Sequence, residues 1–271
     1  MPNPPLVSVI TICYNAEESI AKTIESVIGQ TYPSIEYIII DGKSTDGTLN
    51  VIKQYEKHID IFISERDDGI ADAFNKGIKL SNGKYIQLLN ADDWLPSNKI
   101  ELSIEEFEES RWAGFIFGDI IKVDKEGNVL FTVKGDRNYH RSVRFVCPRF
   151  SHPSMMVKKK IYEKYGLFDT SWTIGMDYEW FLRIYRKGVR GKYADSIFTY
   201  MRDDGISSNW KKTLKEDYMI SKYHGLPGMI AGIVYLFRFL KVSVRLQLEK
   251  IFGDKFLFLF RKGKTKKILN E

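Results

Sequence analysis

The chain has 271 residues, 44% hydrophobic and 28% charged, which is enough apolar material for the core of one large domain. Its two cysteines and four scattered histidines exclude a disulfide framework and a zinc site of the usual spacing. The net charge of +6 is uneven, because residues 225–271 hold ten Lys/Arg and three acidic residues while the rest carries −1, a distribution that argues against nucleic acid as a partner.

Strands and helices alternate through the first third of the chain. Apolar runs predict four strands, at residues 6–13, 35–40, 59–64 and 84–89. The segments between them have helical spacing, at residues 17–29, 49–57 and 69–80. This alternation predicts an α/β fold with a mainly parallel sheet covered by helices on both faces. Ligands of such sheets bind outside the carboxyl ends of the strands.

The second half of the chain is less regular. Its helical segments are predicted at residues 96–110, 158–165, 176–186 and 209–224. Its extended segments are predicted at residues 114–133, with a turn at 125–128, and at 150–157 and 192–200.

Two adjacent carboxylates, Asp92 and Asp93, follow the fourth predicted strand. Dehydrating charges at the end of a core strand costs several kcal/mol unless they have a partner. A divalent cation would supply that partner, since Mg²⁺ takes one or two carboxylates and fills its other positions with water and phosphate oxygens. The alternative is a solvated turn in which Asp caps the next helix. Because other polar residues also follow strands at this edge, we favour a metal–diphosphate site.

Several ordered motifs within residues 6–210 resemble those of family 2 inverting glycosyltransferases. They are residues 7–15, Gln30-Thr31-Tyr32-Pro33, residues 39–48, Asn90-Ala91-Asp92-Asp93, and Met176-Asp177-Tyr178-Glu179-Trp180 followed by Arg183. The resemblance implies a GT-A fold, a nucleotide-sugar donor and a divalent metal, Mn²⁺ or Mg²⁺. It makes residues 1–224 the catalytic domain, with a nucleotide-binding half at about 1–95 and an acceptor half at about 96–224.

The resemblance assigns donor contacts to side chains near the strand ends. Tyr14 is expected to stack on the nucleobase and Asp41 to hydrogen-bond it, with a rim aromatic and a turn residue as the alternatives. Asp67 and Asn75 are expected to line the nucleotide pocket, although a solvated loop explains Asp67 equally well. Arg202 begins a segment, ending at residue 207, that resembles a loop closing over the donor diphosphate; it could pair with phosphate or be an ordinary surface residue.

Metal chemistry is assigned to the aspartate pair by the same resemblance. Asp93 is the expected metal ligand, and Asp92 is expected to contact the ribose or the sugar. The cation would neutralise the diphosphate as it departs. Many relatives have Asp where this chain has Asn90, so this chain has one charge fewer in the motif.

An inverting reaction needs a base on the face opposite the leaving group. Asp177 matches the acidic position of the family at this point and is our choice. Relatives often have Glu-Asp where this chain has Met-Asp, and Glu179 is the second choice. For Asp177, a carboxylate stabilised by the N-terminus of a helix is the alternative. His152 resembles a residue on the acceptor side, with a structural histidine as the alternative.

The last segment, residues 225–271, is predicted to form amphipathic basic helices. Its uninterrupted apolar run is shorter than the ~20 residues that span a bilayer, so we expect a helix in the membrane interface. Aromatic residues 256–260 and basic residues 261–267 would add anchors. The alternative is helices packing on the catalytic domain or in a homodimer. Because no signal peptide is evident, we expect a cytoplasmic protein, peripheral at the inner face of the plasma membrane.

The expected function is metal-dependent, inverting transfer of a sugar from a nucleotide donor to a saccharide or lipid-linked saccharide in polysaccharide biosynthesis. UDP is the expected nucleotide, with GDP and dTDP as alternatives. A nucleotidyltransferase that makes sugar nucleotides would typically open with a glycine-rich basic loop, which residues 12–18 lack. A non-catalytic sugar-binding protein is the third alternative, and the presence of both Asp93 and Asp177 argues against it.

Overall fold

The computed structural model describes residues 6–203 and 209–252. The strands in this part are β1 (Val7–Cys13), β2 (Ile35–Asp41), β3 (Ile61–Ser64), β4 (Tyr85–Asn90), β5 (Phe115–Val123), β6 (Val129–Val133), β7 (Met155–Lys158) and β8 (Gly191–Arg202). The helices are α1 (Ile20–Ile28), α2 (Thr48–Lys53), α3 (Ile70–Leu80), α4 (Lys99–Glu109), α5 (Lys159–Tyr165), α6 (Met176–Arg186), α7 (Trp210–Tyr223) and α8 (Gly228–Phe252).

The strands form one sheet in the order β3-β2-β1-β4-β7-β5-β6, with β8 paired to β5. Strand β1 pairs in parallel with β2 and β4, and β2 pairs in parallel with β3. The carboxyl ends of these four strands therefore lie at one edge of the sheet. Strand β7 is antiparallel to both β4 and β5, whereas β8 is parallel to β5. The predicted α/β fold with a mostly parallel sheet is confirmed.

Helices cover both faces of the sheet. Successive residues of a strand point to opposite sides, so each buried strand contributes side chains to the apolar cluster on either face. In β2, Ile38 packs in one apolar cluster with Phe74 of α3 and Trp180 of α6. Its neighbour Ile39 packs in the other cluster with Ile24 of α1. A strand that is buried on both sides is apolar along most of its length, without a polar residue at every second position, which is why the sequence predicts β1 and β2.

The strand predicted at residues 150–157 begins later in the structure. Residues 150–157 were expected to be extended, but β7 begins only at Met155, and residues 152–154 form a 3-10 turn. Pro153 has no N–H to give to a neighbouring strand. Ser154 closes the turn by donating its backbone N–H to the carbonyl oxygen of Ser151 at 3.0 Å. The turn carries His152 out of the sheet and towards the strand ends.

Helix α8 packs one face against α7. Arg238 forms an ion pair with the buried Asp217 at 2.6 Å, and the Tyr235 and Tyr218 rings lie 5.7 Å apart.

Within the two described ranges, no helix has both the length and the apolar character needed to cross a membrane. The predicted anchors at residues 256–267, and residues 204–207 of the predicted diphosphate loop, lie outside the described residues.

Candidate active site

A cleft of about 560 Å³ opens at the edge of the sheet where β1 and β4 end. Its volume is in the range of small-molecule sites. Seven of the predicted site residues line it: Tyr14, Asp67, Asp92, Asp93, His152, Asp177 and Arg202. Residues that are 163 positions apart in sequence, from Tyr14 to Asp177, therefore meet around one space.

Close packing of the loops after β1 and β2 shapes one end of the cleft. The backbone of Asn15 is in the left-handed region, at φ +49°. Its side-chain Oδ1 accepts a hydrogen bond from the backbone N–H of Thr45 at 2.8 Å. A side chain at Gly42 would place a Cβ 2.5 Å from Asp67 Oδ2 and 3.5 Å from Tyr14 Cβ. Glycine at this position lets Asp67 and Tyr14 come together. The Tyr14 ring itself is 64% exposed, which leaves its face available for stacking.

Three predicted site residues do not line the cleft, and all three already have hydrogen-bond partners in the protein. Asp41 is fully buried and accepts hydrogen bonds from Ser44 and from the Ser64 hydroxyl, the latter at 2.6 Å. The side-chain amide of Asn75 donates a hydrogen bond to the backbone C=O of Phe168 and accepts one from its backbone N–H. The third residue is Glu179, whose partners are the side chains of Arg183 and His224.

Glu179 is 2% exposed and is held between Arg183 at 2.9 Å and His224 at 3.0 Å. Burial alone would raise the pKa of this carboxyl, but the hydrogen bonds from His224 and Arg183 outweigh burial and lower it. The second-choice base therefore lies in an ion-paired cluster away from the cleft. This position follows from helical geometry, since residues two apart point in different directions.

The expected metal corner is built around Asp93, which is only 1% exposed. Its Oδ2 accepts a hydrogen bond from Asn90 Nδ2 at 2.9 Å, and its Oδ1 accepts one from the backbone N–H of Arg202 at 3.2 Å. Burial, reinforced by the neighbouring charge of Asp92, raises the pKa of the Asp93 carboxyl. A cation at this corner would offset both of these effects.

The carboxylate oxygens of Asp92 and Asp93 would suit a hard divalent cation, which prefers oxygen ligands. Among the described residues there is no cluster of three or more His, Cys, Asp or Glu side chains that could hold a metal by themselves. Asp93 and Asp92 would therefore have to share the ion with phosphate oxygens and water, which is the way proteins commonly bind Mg²⁺ beside a nucleotide. The residues present fit a metal that arrives with its diphosphate.

Asp177 lies in the first turn of α6, where its Oδ1 accepts a hydrogen bond from the backbone N–H of Tyr178 at 2.8 Å. The loop ahead of this helix is held by Glu216 of α7, a residue that the sequence analysis missed. Glu216 accepts hydrogen bonds from the backbone N–H groups of Ile174 at 2.9 Å and Gly175 at 2.7 Å. No local pattern could reveal this contact, because it joins two separate helical segments.

His152 lies between the two acidic corners of the cleft. Its Nε2 is 3.2 Å from Asn90 Oδ1, and its Nδ1 is 3.9 Å from Asp177 Oδ2. The imidazole also meets the Phe74 ring edge-on, with ring centroids 4.9 Å apart. From the sequence, Asn90 stands out only as a lost charge, whereas in the structure its amide joins Asp93 to His152.

Sequence comparison finds relatives of this chain among glycosyltransferases. A glucosyltransferase of Escherichia coli, WfaP, is 29% identical over 227 residues, covering 82% of this chain and 87% of WfaP. An uncharacterized glycosyltransferase of Methanocaldococcus jannaschii is 32% identical over 231 residues, covering 81% of this chain and 79% of the relative. Chondroitin synthase of E. coli is 29% identical over 186 residues, which cover 68% of this chain but only 27% of that longer enzyme.

Solved structures with the same fold have little sequence in common with this chain. S. aureus TarS residues 1–349, in complex with UDP-GlcNAc, superposes with a TM-score of 0.63 at 14% identity, over 85% of this chain and 70% of that one. A Pyrobaculum calidifontis mannosyltransferase, in complex with GDP-Man and Mn²⁺, gives a TM-score of 0.60 at 16% identity, over 90% and 76% of the two chains. At this identity the likeness establishes the fold alone.

The family model for glycosyl transferase family 2 matches residues 8–166, more than half of the chain, and includes the loops that carry Tyr14, Asp67, Asp93 and His152. Together with the named relatives, this match shows that the chain is a glycosyltransferase belonging to family 2.

Proposed function

We propose that this protein is a metal-dependent, inverting glycosyltransferase that uses a UDP-sugar donor in polysaccharide biosynthesis. The observation that carries the proposal is the arrangement of the cleft, with Asp92 and Asp93 after β4 and Asp177 at the start of α6 lining one space. Carboxylates with separate roles are what an inverting transfer needs: one group beside the departing diphosphate and another beside the attacking hydroxyl.

The residues of the cleft would divide the reaction between them. Tyr14 would stack on the base of the donor, and Asp67 would lie beside the nucleotide. Asp177 would take the proton of the acceptor hydroxyl as its oxygen attacks the anomeric carbon from the face opposite the diphosphate. The bond to the diphosphate breaks with its electron pair leaving on the diphosphate oxygen, so the configuration at the anomeric carbon inverts.

Asp93 would hold the divalent cation, and Asp92 would contact the ribose or the sugar. When bound, the cation would supply electrostatic stabilisation of the negative charge that grows on the diphosphate. The backbone N–H of Arg202 orients Asp93 from the end of β8, so this corner depends on the second half of the domain as well as on the first. The Arg202 side chain lines the same cleft, where a guanidinium would suit phosphate.

Relatives support a UDP-sugar donor and a saccharide acceptor. WfaP is a UDP-Glc glucosyltransferase acting on α-D-GlcNAc-diphosphoundecaprenol, and the chain covers most of its length. TarS, with the same fold, is found with UDP-GlcNAc, and the mannosyltransferase is found with Mn²⁺. We therefore propose a UDP-sugar, Mn²⁺ or Mg²⁺, and a saccharide or lipid-linked saccharide acceptor.

We also propose that α8 docks on an anionic membrane surface, which would bring the cleft to a lipid-linked acceptor. The face of α8 turned away from α7 exposes a line of apolar side chains: Met229, Ile233, Leu236, Phe237, Leu240 and Val244. Lys241 and Arg245 are next to this line. An apolar stripe flanked by basic residues is typical of helices that lie in the membrane interface.

A panel of UDP-, GDP- and dTDP-sugars, each with Mn²⁺, Mg²⁺ or EDTA, tests the donor and the cation together. Thermal shift would report binding, and donor hydrolysis would report turnover. We expect UDP-sugars to raise the melting temperature only when a divalent cation is present. Binding of none of the sugars, or binding that EDTA leaves unchanged, would count against the proposal.

A further inference from the structure

We propose that His152 is a positioning residue for the transfer step, one that receives a hydrogen bond from Asp177 once Asp177 has taken the acceptor's proton. This inference rests on the proposed function, because it assumes that Asp177 is the base. It goes beyond that function by giving the turn that carries His152, directly ahead of β7, a defined part in the proton transfer.

The orientation of the Asn90 amide determines which nitrogen of His152 donates to it. Asn90 donates from its NH₂ group to Asp93 Oδ2 at 2.9 Å. The carbonyl oxygen of Asn90 then faces His152 Nε2 at 3.2 Å. Because a carbonyl oxygen accepts, Nε2 must carry the imidazole N–H.

The other ring nitrogen of His152, Nδ1, faces Asp177. In the neutral imidazole with its N–H on Nε2, Nδ1 presents a lone pair. Nδ1 is buried and has no hydrogen-bond partner among residues 6–203 and 209–252. The atom it faces across 3.9 Å is Oδ2 of Asp177, which also carries lone pairs while it is ionised.

Once Asp177 carries a proton, its O–H can shorten this 3.9 Å contact to a hydrogen bond with His152 Nδ1. The proton comes from the acceptor hydroxyl, whose oxygen keeps the electron pair that forms the new glycosidic bond. The hydrogen bond is therefore absent before the transfer and develops during it. Interactions of this kind raise kcat rather than substrate affinity. Losing a hydrogen bond of this strength typically costs about 10- to 100-fold in rate.

Two conservative variants separate this role from simple packing. The amide of asparagine can place an oxygen near the position of Nδ1, whereas the longer glutamine places its amide near Nε2. His152→Asn therefore keeps a hydrogen-bond acceptor for Asp177, and His152→Gln keeps only the contact with Asn90. His58, which is exposed on the turn after α2, provides a matched control as His58→Asn.

The test measures hydrolysis of UDP-glucose and UDP-GlcNAc with Mn²⁺ in the full chain, together with UDP affinity by calorimetry. We expect His152→Ala and His152→Gln to lose about 10- to 100-fold in kcat with UDP affinity within about 2-fold, and His152→Asn to recover most of the rate. His58→Asn should behave as wild type. In an Asp177→Asn background, His152→Ala should cause no further loss.

Equal rates for the Asn and Gln variants, a wild-type kcat for His152→Ala, or a further loss in the Asp177→Asn background would overturn the inference. A His152→Ala protein that fails to bind UDP would leave the comparison of Asn with Gln to decide. Failure of the proposed function looks different, since the wild-type protein itself would then bind and hydrolyse no nucleotide sugar. That result would remove both proposals.

Discussion

Glu216 Oε2 accepts a hydrogen bond from the backbone N–H of Gly175 at 2.7 Å, directly ahead of the helix that begins with Met176 and Asp177. The same oxygen accepts from Ile174, and the Thr173 hydroxyl donates to Glu216 Oε1 at 2.6 Å. One carboxylate on α7 therefore holds three successive residues of the loop. Although burial opposes it, this set of hydrogen bonds lowers the pKa of Glu216.

Removing the Glu216 carboxylate should loosen the start of α6 and move Asp177. We expect Glu216→Ala to reduce the free energy of unfolding by about 2 kcal/mol, since two backbone donors lose their partner, and to reduce kcat about 10-fold. Thr173→Val, which removes only one donor, should show a smaller loss in both. Urea denaturation and donor hydrolysis measure the two effects. Wild-type stability together with wild-type turnover in Glu216→Ala would show that the loop is held by other contacts.

Changing Asp93 tests the proposed metal corner. Asp93→Asn keeps the shape of the side chain and removes its charge, so a divalent cation should no longer strengthen UDP binding. We expect calorimetry to show UDP affinity at least about 10-fold weaker in Mn²⁺ and insensitive to EDTA. Asp195→Asn is the control, because Asp195 is exposed on β8. UDP binding by Asp93→Asn that still depends on Mn²⁺ would place the cation elsewhere.

Lys99 gives the protein a pH-dependent stability that is independent of catalysis. Its side chain is 1% exposed, its Nζ donates to Gln87 Oε1, and burial lowers its pKa to about 7. Above pH 7 the unfolded chain still binds this proton while the folded protein has released it. The free energy of unfolding should therefore gain a contribution as pH rises from about 7 to 10, by at most about 1.4 kcal/mol per pH unit.

The matched variant is Lys99→Met, which removes the buried charge and keeps the volume of the side chain. We expect Lys99→Met to be more stable than wild type at pH 7, with the difference shrinking towards pH 10. Urea unfolding at several pH values measures both. A difference between the two proteins that does not change with pH would show that burial does not lower the pKa of Lys99.

Most of the fold, but only part of the site, could be predicted from the sequence. The apolar runs that became β1, β2 and β4 are unmistakable because both faces of these strands are buried. The acidic residues at the strand ends could also be predicted, since parallel strands gather their carboxyl ends at one edge. The link from Asn90 to His152 could not be predicted, because its 3.2 Å contact depends on the register of β7 against β4.

The exposed face of α8 should determine membrane binding. Ile233→Glu combined with Phe237→Glu places two charges in the apolar stripe. Because these two residues are 63% and 68% exposed, the fold should be unaffected. We expect flotation with vesicles containing phosphatidylserine to fall at least about 10-fold, since burying charge in the interface is costly. Leu80→Glu, at an exposed site of α3, is the control. Unchanged flotation of the double variant would show that α8 is not the docking surface.

The stereochemistry of donor hydrolysis tests the central claim, inverting transfer with Asp177 as the base, and it requires no knowledge of the acceptor. Proton NMR of UDP-α-D-glucose with the full chain and Mn²⁺ would follow the first glucose released, before mutarotation mixes the anomers. We expect β-glucose to be released first. We expect the rate of hydrolysis to be at least about 100-fold lower in Asp177→Asn. Release of α-glucose first, or an undiminished rate in Asp177→Asn, would contradict it.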